Sequence, residues 1–162
     1  MTEAELETYL HEHIPLSRAM AVRVISIADQ QLTLTAPLAP NINHRDTVFG
    51  GSAASVATLA AWSLLHLRLV AAGQPSRVVI QHSTMDYLAP IAGDFTATAR
   101  LDGDWDSFLR LLTRKGRARV ALRAELDYEG RPVPRRLRGL RQRPAVVPRV
   151  SGSRLARART SP

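Results

Sequence analysis

Residues 49–67 read FGGSAASVATLAAWSLLHL, a run with no formally charged residue. A Gly-Gly pair opens it, and an Ala-, Leu- and Ser-rich stretch without proline follows, up to Arg68 and then Gly73. Alanine and leucine favour helix, and a glycine just past the end suits a left-handed C′ position. The length corresponds to a helix of about five turns. At about 100° per residue, Ser52, Ser55, Ser63 and His66 fall on one narrow stripe and the rest is apolar. A helix apolar on nearly every side is buried in a core or in a membrane. Length alone would permit a span, but so many Gly, Ala, Ser and Thr residues make a poor one, and the sequence holds no second span. Small residues let another backbone come close. The stretch therefore predicts the central helix of a soluble domain.

A chain of 162 residues is long enough for one sizeable core and short for two. It has no cysteine, which excludes disulfides and thiolate metal sites. Residues 1–17 carry Glu3, Glu5, Glu7 and Glu12, the opposite of a signal peptide, and the expected location is cytoplasmic. The net charge of +8 is unevenly placed. Residues 1–129 hold all 14 acidic side chains against 12 basic ones, whereas residues 130–162 hold 10 Arg, no acid and five Pro. The expected organisation is one domain over 1–130 and an Arg/Pro-rich, disordered tail over 131–162, with weak non-specific affinity for nucleic acid or another anionic surface.

Upstream of the central stretch, Thr2 and Glu5 fit a capping box, and Leu6, Tyr9, Leu10, His13 and Ile14 share a face. This predicts a short amphipathic helix ended by Pro15. Residues 20–36 are β-rich around Asp29-Gln30 and predict a hairpin. Downstream, residues 77–88 and 94–101 alternate as strands. Trp105, Phe108, Leu109 and Leu112 follow helical spacing up to Gly116, and residues 117–128 alternate as one further strand. No pattern supports a strand after Gly130. Strands that follow strands without βα alternation give an antiparallel sheet. The expected class is α+β, with the sheet curled round the one long helix, since only that covers an all-round apolar cylinder.

Residues 40–51, PNINHRDTVFGG, place Asn41, Asn43, His44, Arg45 and Asp46 just ahead of the buried helix. Turn chemistry is the plain explanation, because Asn and Asp favour turns and caps. The sharper one is a binding loop feeding a helix N-terminus, where the free N–H groups of Gly51 and Ser52 face a ligand oxygen and the glycines allow close approach.

Asn43-His44-x-x-Thr47-x-Phe49-Gly50-Gly51, the Ala-rich helix with Trp62, the Tyr87-x-x-Pro90-x-x-Gly93-Asp94 turn and Gly116-Arg117-Ala118 together resemble the thioesterase-like domain at the C-terminus of YiiD proteins. That family belongs to the hotdog-fold thioesterases. The resemblance covers about residues 5–130. It implies a hotdog domain, a homodimer or higher oligomer, and acyl-CoA or acyl-carrier thioesters as ligands. It also implies that loop 41–50 of one chain lies near residues 82–90 of its partner. Two departures stand out. Thr58 occupies the position where related thioesterases of the phenylacetate-pathway type carry a carboxylate, and the Arg/Pro tail stands where such domains have their last strand, so that either the sheet loses an edge strand or a few residues near Val133–Leu140 pair weakly.

Thioester hydrolysis needs an oxyanion stabilised where it develops and a water activated nearby. The Gly51 and Ser52 amides fit the first role, and Asn43 fits orienting the thioester or the water. For the second the candidates are Asp46, His44, His82 and Asp86. Each has a plain structural alternative: Asp46 as a cap of the helix region, His82 as a satisfied core residue and Asp86 as a solvated strand end. Phe49, Gly50, Gly51, Ser52 and Tyr87 complete the expected substrate-binding set. Ser52, Ser55 and Ser63 lack the G-x-S-x-G context of a serine hydrolase. No phosphate-loop, zinc or cofactor motif is present. Three functions stay open from sequence: a thioesterase, a non-catalytic acyl- or CoA-binding hotdog domain, and an anion binder acting through the tail.

Overall fold

A computed structural model describes residues 1–74, 76–128, 131–132 and 141–148, the last two segments by backbone alone. Helix α1, Glu3–His13, starts on the expected capping box. The Glu5 amide donates to the Thr2 hydroxyl, and the Thr2 amide donates to the Glu5 carboxylate at 2.8 Å. Pro15 ends α1 and opens a second short helix, α2, Pro15–Ala19. The hairpin follows as β1, Arg23–Ala28, and β2, Gln31–Ala36.

The central stretch is helix α3, Gly50–Ala71. Its end is a Schellman motif. Gly73 takes φ +65°, its amide donates to the Val70 carbonyl, and the Gln74 amide reaches back to the Leu69 carbonyl. By length and composition α3 is long and apolar enough to cross a membrane, yet it is the core helix. Ala53, Val56, Ala57, Ala60, Ala61, Leu64 and Leu65 are all buried, and α3 lies across β2, β4 and β6. The alanines on that face are what allow the sheet to come close.

After α3 come β3, Ser76–Thr84; β4, Phe95–Leu101; and helix α4, Trp105–Lys115. Then follow β5, Ala118–Arg119; β6, Leu122–Tyr128; β7, Arg131–Pro132; and β8, Arg141–Pro148. The described strands form one antiparallel sheet in the order β1-β2-β4-β6-β8-β3, with β5 on β8 and β7 on β6. The inward residues of β2, β4 and β6 (Leu32, Leu34, Phe95, Ala97, Ala99, Leu122, Ala124) are buried. This is the α+β sheet wrapped on a central helix that the sequence predicts.

Two expectations are corrected. Residues 117–128 are not one strand but β5 and β6, broken at Val120-Ala121. There the Ala121 carbonyl accepts the Asp102 amide of the β4–α4 turn rather than a ladder amide. The expectation of no strand beyond Gly130 is also corrected. Strand β8 lies between β6 and β3 and pairs along nearly the whole of β3. Its sequence, RQRPAVVP, carries two prolines, so propensity hides it. The register shift in β3 between Ile80 and His82 falls beside Pro144, which has no amide to give. The remainder of the expected disordered tail, residues 133–140 and 149–162, lies outside the described residues, as do Glu129 and Gly130.

Candidate active site

The loop between β2 and α3 is built around Asn43. Its Oδ1 accepts the Arg45 amide at 2.7 Å and the Thr47 amide at 3.4 Å. Its Nδ2 donates to Thr47 Oγ1 at 2.9 Å and to the Val48 carbonyl at 3.2 Å. All four bonding positions of the amide are engaged inside the loop, so the Asn43 side chain holds this turn together. Asn41 is equally structural. It is buried, and its Nδ2 ties the loop to the Met20 and Pro37 carbonyls. Between these anchors Asp46 takes φ +57°, a left-handed turn conformation in which aspartate is over-represented. His44, Arg45 and Asp46 form an exposed tip.

Helix α3 begins on Phe49, which is extended and gives no side-chain cap. Ala53 is the first residue whose amide returns to the loop, donating to the Phe49 carbonyl at 3.0 Å. The amides of Gly50, Gly51 and Ser52 have no acceptor among the described residues, which leaves donors at the positive end of a long helix dipole. The segment joining β3 to β4 closes over this end. The Val48 amide donates to the Ile91 carbonyl at 2.7 Å, and the Tyr87 hydroxyl donates to the Gly50 carbonyl at 3.0 Å. A Cβ on Gly50 would stand 3.1 Å from Tyr87 Cε1, so a glycine is what lets the ring lie there. Within one chain the loop before α3 and the β3–β4 segment thus meet at the helix end.

A cavity of about 380 Å³ lies between these two segments. Asn43, Thr47, Gly50, Asp86 and Tyr87 line it, with an apolar wall that includes Met85, Leu88, Ile91 and Leu126. Of the expected residues, the structure brings together Asn43, Gly50, Asp86 and Tyr87. His44, Asp46, Phe49, Gly51, Ser52 and His82 do not line it, and His82 is exposed on β3 past the register shift. Asp86 is therefore the one carboxylate among the described residues that shares a cavity with the start of α3, and no partner engages it there. The apolar wall was missed from sequence. Leu126 reads as ordinary core by its alternation, and Met85 to Ile91 read as a strand end and a turn.

A second cavity, of about 350 Å³, lies on another flank of α3 and is lined by Ile14, Leu16, Met20, Ala54, Ser55, Thr58, Leu59, Trp62 and Ile80. Thr58 lines this space and not the first cavity. Among the described residues no group of three or more His, Cys, Asp and Glu side chains is arranged to hold a metal ion.

Comparison with known proteins agrees with this architecture. A family model described as "putative thioesterase (yiiD_Cterm)" matches residues 3–139. The chain is similar to a protein of unknown function from Chlorobaculum tepidum TLS, at 28% identity over 90% of this chain and 94% of that one, with a TM-score of 0.80. It is similar to a "putative thioesterase" from Shewanella oneidensis, at 28% identity over 90% and 96% of the two chains, with a TM-score of 0.74. A thioesterase from Haemophilus influenzae, at 12% identity over 94% and 95% of the two chains and a TM-score of 0.72, shares the fold.

Proposed function

This chain belongs to the YiiD C-terminal thioesterase family, and we propose that it hydrolyses an acyl thioester held between the amino end of α3 and Asp86. The observation that carries this is the sharing of one cavity by Gly50, with its unpartnered helix start, and Asp86. In this reading the thioester carbonyl points at the open amides at the start of α3. Asp86 takes a proton from water as the water attacks the carbonyl carbon, and the developing oxyanion gains the helix-end donors. The tetrahedral intermediate then expels the thiolate, which takes up a proton and leaves as the free thiol. Tyr87 and the Asn43-centred loop shape the site, and Met85, Leu88 and Leu126 supply apolar contact. Asp46, His44 and His82 lie outside this arrangement within one chain. The carried group is an acyl chain on coenzyme A or on a carrier protein's pantetheine arm. A panel of acyl-CoA and carrier-bound thioesters with free-thiol detection tests the proposal, and no thiol release from any of them would refute hydrolysis.

One observation favours a second reading, a binding domain without turnover. Residue 58 is Thr where the resemblance to thioesterases of the phenylacetate-pathway type implies a carboxylate, and a threonine cannot serve as general base at neutral pH. Thioester binding without thiol release would decide for it.

We further propose that the chain acts as a homodimer. Val79 on β3, Tyr87 and Leu88 at the cavity, and Ile42 and Phe49 in the loop before α3 are large apolar residues between 41% and 60% exposed. On its side away from β8, β3 has no strand partner among the described residues. Covering both would remove an exposed sheet edge and an apolar patch. Sedimentation at micromolar concentration tests this, and a monomer would count against it.

A further inference from the structure

Thr47 lines the first cavity, and the hydrolysis just described gives it no role. We propose that Thr47 is a further catalytic residue, whose hydroxyl donates to the thioester carbonyl oxygen beside the Gly50 amide and stabilises the oxyanion as it forms; this rests on the thioesterase reading. The polar side chains that line the cavity are those of Asn43, Thr47, Asp86 and Tyr87. Asn43 Oδ1 accepts two backbone amides, from Arg45 and Thr47, so the other end of the side chain is the NH2 group. That group donates to Thr47 Oγ1 at 2.9 Å. The direction of the bond is thereby fixed, with Thr47 as acceptor. A hydroxyl that accepts a bond still has its own proton to give. Among the described residues no group takes that proton. In the other three side chains the protons are engaged or absent. Those of Asn43 go to Thr47 and to the Val48 carbonyl, that of Tyr87 goes to the Gly50 carbonyl, and Asp86, as the base, carries none.

The Thr47 side chain is held in place. Besides the hydroxyl bond, the Thr47 amide donates to Asn43 Oδ1, and the Thr47 carbonyl accepts the Asn43 amide at 2.8 Å. Thr47 and Gly50 come from the loop and the helix start on one wall of the cavity, and Asp86 comes from the β3–β4 segment on the other. A thioester between the two walls has donors on one side of its carbonyl and the base on the opposite side. Addition of water needs that division, because the oxygen gathers charge while the base takes the proton of the attacking water. Val48, Ala53, Leu88 and Leu126 keep the surroundings apolar, where a donor counts for more than in water. A neutral donor also serves better here than Lys or Arg, since a cation in the cavity would lower the basicity of Asp86.

The experiment uses the full chain and an octanoyl-pantetheine analogue in which a methylene replaces the thioester sulfur and the carbonyl is isotope-labelled. Pantetheine is the arm common to coenzyme A and carrier proteins, and the ketone is not hydrolysed. Difference infrared spectroscopy reads the carbonyl band of the bound analogue. The band should lie at lower frequency in the parent than in Thr47→Val, and Thr47→Ser should restore it. With thioester substrates, Thr47→Val should lower kcat by about 10²–10³-fold, as for the loss of one oxyanion donor, with KM within a few-fold. Thr47→Val also removes the acceptor of Asn43 Nδ2, so its melting temperature should fall. Loss of stability alone would leave the band where it is. Thr47→Cys keeps the shape with a weaker donor and should give an intermediate band. The same band and kcat in the parent, Thr47→Val and Thr47→Cys overturn the proposal. An analogue that does not bind the parent overturns both it and the hydrolase reading. Should no thioester be hydrolysed while the band of the bound analogue still depends on Thr47, the hydrolase reading fails and the contact to the carbonyl stands.

Discussion

The Tyr87 hydroxyl donates to the carbonyl of Gly50, the first residue of α3, and the tyrosine ring occupies the space beside that glycine's missing side chain. One residue thereby ties the β3–β4 segment to the helix end and places its neighbour, Asp86, over the same cavity. Tyr87→Phe should keep the fold, because the ring is 60% exposed and a single hydrogen bond contributes about 0.5–1.5 kcal/mol. It should raise KM for thioesters several-fold with a small change in kcat. Steady-state kinetics beside a thermal melt separates the two effects.

Asp86→Asn should lower thioester turnover by roughly 10²–10⁴-fold, the loss typical of a missing general base. Asp46→Asn should leave the rate within a few-fold, since Asp46 sits at the exposed loop tip. A reversed ranking would move the base to the loop and point to a site completed across two chains.

Asn43→Ala removes an amide that makes four bonds inside the loop. Several loop groups lose their partners, and the expected cost is about 1–3 kcal/mol in denaturant unfolding. Turnover should fall with it. Asn43→Asp keeps the acceptor for the Arg45 and Thr47 amides and should recover part of the stability. Equal losses in the two variants would mean that the Nδ2 bonds carry the loop.

The cap of α4 gives a pH dependence. The Ser107 hydroxyl, and after it the Ser107 and Asp106 amides, hold the Asp104 carboxyl below its ordinary range. A carboxyl lowered in the folded state stabilises the fold fully above its unfolded pKa of about 3.9. That contribution disappears as pH falls through the lower, folded value. Amide exchange in the first turn of α4 should therefore accelerate on acidification into that range. Asp104→Asn, which caps without titrating, should remove the pH dependence while keeping the helix start.

Truncation tests where the domain ends. We propose that it runs through β8 and that residues 149–162 are dispensable. Removing 149–162 should leave the melting temperature nearly unchanged and reduce any salt-sensitive affinity for nucleic acid. Removing everything after Gly130 deletes β8, which joins β3 to β6, and should unfold the chain or free β3 to aggregate. Full stability of the shorter chain would restore the boundary at Gly130.

Local chemistry determined much of this protein. Periodicity and cap residues, read along the chain, gave α1 with its Thr2–Glu5 box, the hairpin, the buried run of α3, the helical spacing of α4 with its Gly116 end, and the antiparallel class. Those signals lie within a few residues of one another, so sequence carries them. Tertiary structure decided the rest. Strand β8, with two prolines and no clean alternation, exists through its ladder partners on β3 and β6, which are far away in the chain. The Asn43 amide, a plausible substrate ligand from its loop position, is consumed by bonds that only the folded turn reveals. Asp86 stands out from Asp46, His44 and His82 because the β3–β4 segment folds back onto α3 and carries it there. Sequence could nominate four bases of suitable chemistry, but which of them meets the helix end depends on contacts between residues about 40 positions apart, where neither propensity nor spacing reaches.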